Sequence, residues 1–200
     1  MTMRRGFCIV LVLLGTLARA IPASAAALLI GVRGGMNVAN LTGEDVYNNS
    51  SSIGAIGGGF ARFRLSDMFS VVPELLYSMK GAEFESEGIE AEQKFRILEI
   101  PVHIRAAWRR ESKLEPSVFV GPALGILLDN KITDGAEIDL DHGSKGADFG
   151  VVVGAGLDYK VGAGVVLLDV RYERGLTSWS DDLDEKHSVA SFTLGYGYRP

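Results

Sequence analysis

Apolar and polar side chains alternate with a period of two along this chain, in eight separate segments. The last segment is the cleanest. Ala190, Phe192, Leu194, Tyr196 and Tyr198 share one parity, and Ser191, Thr193, Gly195 and Gly197 share the other. Successive side chains of a β-strand point to opposite faces, so this period makes one face apolar and the other polar. The greasiest stretch, residues 149–172, decides between strand and helix. It holds Asp158, Lys160, Asp169 and Arg171, which a helix would spread around its circumference and a strand gathers on the polar parity.

Read as strands, the segments lie near residues 28–38, 53–65, 69–80, 95–108, 116–128, 148–160, 165–174 and 190–198. In the glycine-rich second segment, Ala61, Phe63 and Leu65 are assigned outward, which turns Arg62 and Arg64 inward. The connections alternate in length. Those at 66–67, 110–113 and 162–164 are short, while 39–52, 81–94, 129–147 and 175–187 are long and polar. Short periplasmic turns and long outer loops are the pattern of a bacterial outer-membrane barrel. The expected fold is an all-β, eight-stranded antiparallel up-and-down transmembrane β-barrel. Phe63, Phe69, Trp108, Tyr159 and Tyr198 map to its short-turn end, and Tyr77, Phe95, Phe149 and Tyr172 to its loop end, as two aromatic girdles require.

Residues 1–25 read as a cleavable export signal. Arg4 and Arg5 precede an apolar run over 7–17, and Ala23-Ser24-Ala25 forms a small-x-small site with cutting expected before Ala26. The run is too short for a spanning helix, which takes about 20 residues. The only cysteine, Cys8, falls inside that signal, so residues 26–200, the barrel domain, carry no disulfide or thiol chemistry. The same residues hold 17 basic against 25 acidic side chains, which excludes a basic nucleic-acid footprint.

Short strings through this domain resemble the PorT-like outer-membrane β-barrel family. They are Gly31-Val32-Arg33-Gly34-Gly35-Met36-Asn37, Leu65-Ser66-Asp67, Pro73-Glu74-Leu75-Leu76-Tyr77-Ser78, Leu98-Glu99-Ile100-Pro101 and Gly121-Pro122-Ala123-Leu124-Gly125. The resemblance implies an eight-stranded barrel without an assigned activity. The family's namesake link to protein secretion has no counterpart in these residues. Two features depart from a simple barrel. The chain ends Tyr198-Arg199-Pro200, two residues past the aromatic expected at the last strand's end. Pro73, Pro101 and Pro122 also fall inside strands, where proline cannot donate to a ladder, so bulges or strand ends are expected at them.

The polar parity supplies the candidate functional residues. It carries Arg33, Arg62, Arg64, Lys80, Arg105, Lys160 and Arg171 against Glu74, Glu99, Asp148, Asp158, Asp169 and Glu173, with His103 among them. An eight-stranded barrel is just wide enough for side chains to fill, and charges held there must pair or stay hydrated. The expectation is a salt-bridged, non-conducting interior with a structural role, in which His103 is a hydrogen-bonded member. No nucleophile–base pair, metal motif or dinucleotide fingerprint is present in the sequence, so neither an enzyme nor a cofactor is expected.

The loops are acidic: Glu83, Glu85, Glu87, Glu90 and Glu92; Asp134, Glu137, Asp139 and Asp141; Asp181, Asp182, Asp184 and Glu185. They read as solvated faces, with cation bridging to lipopolysaccharide phosphates as the alternative. His142 and His187 sit among them without a motif. The function expected is a structural or surface-interaction role in the outer membrane. Its partners are outer-membrane lipid, lipopolysaccharide and the barrel-assembly machinery, with no nucleic acid, and the chain is expected to be a monomer. The competing readings are a lipid-modifying barrel enzyme, a narrow or gated pore, and a soluble periplasmic barrel with its faces exchanged.

Overall fold

The computed structural model describes residues 28–42, 49–86, 89–108, 112–134, 136–139, 147–176 and 186–200. The proposed export signal, His142 and the fourth loop's acids lie outside the described residues. Nine strands are present: β1 (Leu28–Thr42), β2 (Asn49–Arg64), β3 (Phe69–Ser86), β4 (Ile89–Ala107), β5 (Leu114–Asp134), β6 (Ala136–Asp139), β7 (Ala147–Val161), β8 (Gly164–Gly175) and β9 (Lys186–Tyr198). All but β6 form one antiparallel ring, closed by β1 against β9 and by β4 against β5. Closure removes the free edges that a sheet would otherwise expose.

The register fixes the ring's stagger. From Gly35, paired residues run one way through Ile56, Ser78 and Ile97 to Leu127 on β5. The other way they run through Thr193, Asp169 and Gly156 to Ser117 on the same strand, ten residues below. A stagger of this kind tilts the strands, typically by about 35–45°, and sets an interior that side chains can fill.

Short turns join β2 to β3, β4 to β5 and β7 to β8, as the sequence implied. In the first, the Ser66 hydroxyl accepts from the backbone N–H of Phe69 at 3.0 Å. In the last, Gly162 takes φ 58°, which only glycine adopts cheaply. The opposite end differs from expectation. Residues 81–86 and 89–94 continue β3 and β4 as paired strands out to Ser86 and Ile89, and β5 continues to Asp134 before β6 folds back on it. The two-residue period continues through both stretches, which is why pairing continues beyond the membrane belt. Polarity had masked it.

The three prolines produce neither of the expected irregularities. The β2–β3 ladder breaks between Phe60–Glu74 and Phe63–Val71, at Pro73, without a change of register. The β3–β4 ladder breaks likewise beside Pro101, and the β4–β5 ladder beside Pro122. Each lost rung follows from a missing N–H, and the remaining rungs on either side hold the alignment. Register shifts occur elsewhere, between Ser51 and Ile56 and between Arg96 and Ile97.

The outward face is an apolar belt. Ile30, Val32, Met36, Leu75, Ile104, Val118, Val120, Val153, Leu168, Val170 and Leu194 are all exposed on it. Phe69, Trp108, Tyr159 and Tyr198 are exposed at the turn end, and Tyr77 and Tyr172 towards the loop end. Phe95 is a correction. It pairs with Lys80, an inward residue, so its register position belongs to the inner face and not to the girdle.

Candidate functional site

The inner face gathers charged side chains from six of the ring's strands into two networks. Asp169 on β8 is the centre of the first: its Oδ2 lies 2.7 Å from Arg33 Nη1 on β1 and 2.5 Å from Arg105 Nη2 on β4. Arg33 Nη1 also lies 3.2 Å from Glu74 on β3, which Arg171 of β8 approaches at 2.8 Å. Through its other nitrogen Arg105 reaches Asp158 on β7 at 3.3 Å, and Arg62 of β2 hydrogen-bonds the same carboxylate. Four guanidinium groups and three carboxylates thus form one connected set across the lumen. Nearer the loop end, Lys80 Nζ sits 2.7 Å from Glu99 and 2.9 Å from Glu173. The surplus cation of the first network is balanced by the surplus carboxylate of the second.

Burial makes these contacts consequential. The side chains of Arg33, Arg105, Glu74 and Asp169 are at most 1 % exposed. A charge taken out of water costs several kcal/mol unless it is paired, so each acid here depends on its neighbours. The interior is not saturated with hydrogen bonds. Arg33 Nε and Nη2, Arg105 Nε, Arg171 Nε and Asp169 Oδ1 meet no protein partner. Aromatic rings supply part of what is missing. Arg33 lies over Phe60 with 4.8 Å to the centroid, and Arg105 over Phe119 with 4.7 Å.

Other candidate residues fall outside these two sets. Lys160 pairs with Glu115 at 2.7 Å near the turn end, and its side chain is 36 % exposed. Asp148 is buried at the loop end, and Arg64 is half-buried at the turn end. His103 departs from expectation. It is fully buried, its ring lies 4.6 Å from that of Phe119, and neither ring nitrogen meets a protein hydrogen-bond partner. Its place is set by packing against an aromatic ring and not by the hydrogen-bond network.

Several functional positions were invisible to the alternation. Phe60, Phe119, Ile56, Val72, Leu76, Ile97, Val152, Val165, Leu167 and Val189 are apolar yet buried on the inner side. Leu29, Phe60, Val72, Val165 and Leu167 pack as one cluster. Glycines were the available signal. A Cβ on Gly154 would sit 2.3 Å from the Phe119 ring, and one on Gly156 would sit 2.0 Å from Asp169 Oδ1 and 2.8 Å from Arg105 Nη1. The lumen admits these bulky and charged groups because the residue paired with each on the neighbouring strand, Gly154 for Phe119 and Gly156 for Asp169, lacks a side chain.

Above the belt, register orders the acids that the sequence showed only as a cluster. Glu83 stands opposite Glu92 and Glu85 opposite Glu90 on one face of the β3–β4 hairpin. The same face continues through Lys94, Lys131, Thr133, Glu137 and Asp139. Positions Ala82, Phe84, Ala91, Gln93, Ile132 and Ile138 make up the other face, in phase with inward Lys80.

Residues 19–181 match the model of the outer membrane protein beta-barrel domain family. The chain belongs to that family. No curated protein sequence matches it. Among solved structures, Neisserial surface protein A (NspA) is similar, with a TM-score of 0.57 and 13 % identity over 86 % of this chain and 97 % of that one. OprG from Pseudomonas aeruginosa has a TM-score of 0.56 and 12 % identity over 86 % of this chain and 95 % of that one. At such identities these likenesses show a shared fold alone, that of the outer-membrane eight-stranded barrel.

Proposed function

We propose that this outer-membrane barrel is a non-conducting, non-catalytic surface protein whose interior holds the fold together and whose extracellular end carries its interactions. One observation supports the reading above the rest: the Arg62–Asp158–Arg105–Asp169–Arg33–Glu74–Arg171 chain of ion pairs crosses the lumen. An ion following the barrel axis would have to displace buried, mutually paired charges, each held by several kcal/mol. The candidate for a lipid-modifying centre, His103, is sealed inside against Phe119 and out of reach of a lipid chain. Within the family, the quoted motifs support a PorT-like reading, and the residue pattern of 1–25 supports a cleaved export signal.

Planar-bilayer recording tests the reading directly. Purified barrel that shows a heat-dependent mobility shift on a denaturing gel is expected to give no steady conductance steps. Regular single-channel openings from that material would overturn it.

A further inference from the structure

The central network has more hydrogen-bond donors than acceptors. Arg33 Nε and Nη2, Arg62 Nε, Arg105 Nε and Arg171 Nε are buried and meet no protein acceptor, and His103 adds two unpartnered ring nitrogens. Against them, Asp169 Oδ1 is the one carboxylate oxygen of that network left without a hydrogen bond among the described residues. The unpartnered oxygens of Asn37, Glu99 and Glu115 belong to side chains outside it. Four guanidinium groups against three carboxylates also give the network one positive charge more than its acids match. The surplus carboxylate nearer the mouth balances that charge in total. Glu99 and Glu173 nonetheless hold Lys80 between them, and the arginine nitrogens stay without an acceptor.

Most of these groups converge. Arg33 and Arg171 share Glu74, and Arg33 and Arg105 share Asp169 Oδ2. Arg105, Arg171 and His103 border one ring: the guanidinium carbons lie 4.7 and 5.8 Å from the Phe119 centroid, and the imidazole centre 4.6 Å. Arg33, Arg105, Arg171 and His103 are all at most 5 % exposed. The donor surplus decides what fits among them. A buried water makes about three hydrogen bonds, some of which it must itself donate. Beside so many unmet N–H groups and a single unmet carboxylate oxygen, its own hydrogens would go unpaired. A small anion accepts from every side and donates nothing, and bonds from guanidinium to an anion are the strong, charge-assisted kind. Neutral His103 supplies one further N–H.

We propose that Arg33, Arg105, Arg171 and His103 form a binding site for a small monovalent inorganic anion, of the halide class, inside the lumen. The ion stands where the network lacks a fourth acid, so it belongs to the folded barrel and not to a conduction path. The inference is independent of whether the lumen conducts and of what the extracellular end binds.

Urea unfolding of the refolded barrel tests it, with sodium chloride replaced stepwise by sodium gluconate at constant ionic strength. Gluconate is too large for a lumen that side chains fill. An ion bound by the folded state alone lowers the unfolding constant about tenfold for each tenfold rise in free chloride above half-saturation. Arg171→Gln removes the surplus cation while Glu74 keeps Arg33, and should flatten that dependence. Lys113→Gln, exposed at the turn end, should retain all of it and so cancels any general salt effect. Crystals of the wild type grown with bromide give a readout that needs no variant. An anomalous peak is expected within hydrogen-bond distance of the Arg105 or Arg171 guanidinium. Three results would each overturn the proposal: a wild-type unfolding constant indifferent to chloride, an unchanged dependence in Arg171→Gln, and a lumen without a bromide peak. Should Arg171→Gln fail to refold, the wild-type titration and the bromide crystals decide the matter. Conductance of the same material is recorded separately, so a failure of the closed-lumen reading cannot be confused with a failure here.

Discussion

The two charge networks solve the same problem with different side chains. The central one is built from guanidinium groups, whose separate nitrogens reach separate partners: Arg105 contacts Asp158 through one and Asp169 through the other. The outer one rests on a single ammonium, a point charge between Glu99 and Glu173. Both cross the barrel, since β2 and β7, joined by Arg62–Asp158, and β3 and β8, joined by Lys80–Glu173, are opposite strands of the ring, but the first engages six strands and the second only β3, β4 and β8 near the mouth. Planar, multi-nitrogen cations let a network branch from one acid to the next, whereas a lysine gathers its acids around one point. Loss of one member should therefore propagate further in the centre than at the rim.

The largest effect is expected from Asp169→Leu, which takes the shared acceptor from Arg33 and Arg105 and leaves two buried cations short of partners. The loss should be about 3–5 kcal/mol of unfolding free energy, read as a lowered urea midpoint of the refolded barrel. Asp182→Leu, in the acidic 175–187 connection, should stay within about 0.5 kcal/mol. Similar midpoints for the two variants would remove the structural role given to the lumen. Lys80→Met is expected to cost less, about 1–2 kcal/mol, because its two carboxylates lie nearer the mouth and one of them is 11 % exposed to solvent. A loss equal to that of Asp169→Leu would erase the distinction between the networks.

The finest test compares two conservative changes within the centre. Arg33 meets both Glu74 and Asp169 through the same nitrogen, so a lysine can stand in for it. Arg105 uses two nitrogens on two acids, and no lysine does that. Arg105→Lys should cost about 1–2 kcal/mol more than Arg33→Lys in the same unfolding experiment. Equal losses would mean that charge alone, and not fork geometry, holds the network.

The inner face illustrates how far residues alone lead. Every charged position assigned inward by parity between Arg33 and Glu173 is buried or half-buried, because a strand's period of two leaves no freedom once one face meets lipid. His103 shows the limit. Its parity placed it inside, but its neighbour Phe119 comes from β5, paired beside β4 only after a fifteen-residue return of the chain. Phe60 and Phe119 break the polar pattern and are unreadable for the opposite reason: what admits them is a missing side chain at the paired position of the neighbouring strand, Gly31 for Phe60 and Gly154 for Phe119. Over residues 81–94 polarity outweighs period in the sequence, whereas the pairing of β4 with β3 and β5 carries strands through 81–86 and 89–94.

By itself, the sequence determined the eight strands of the ring, their inward and outward faces and the membrane belt, since each depends on local alternation that backbone geometry enforces. The stagger of the ring, the choice of Asp169 as the common acceptor and the balance between two networks were decided only by the closed barrel. Those features depend on which residues of distant strands share a level across the lumen. That follows from register summed around the whole ring and from no single strand.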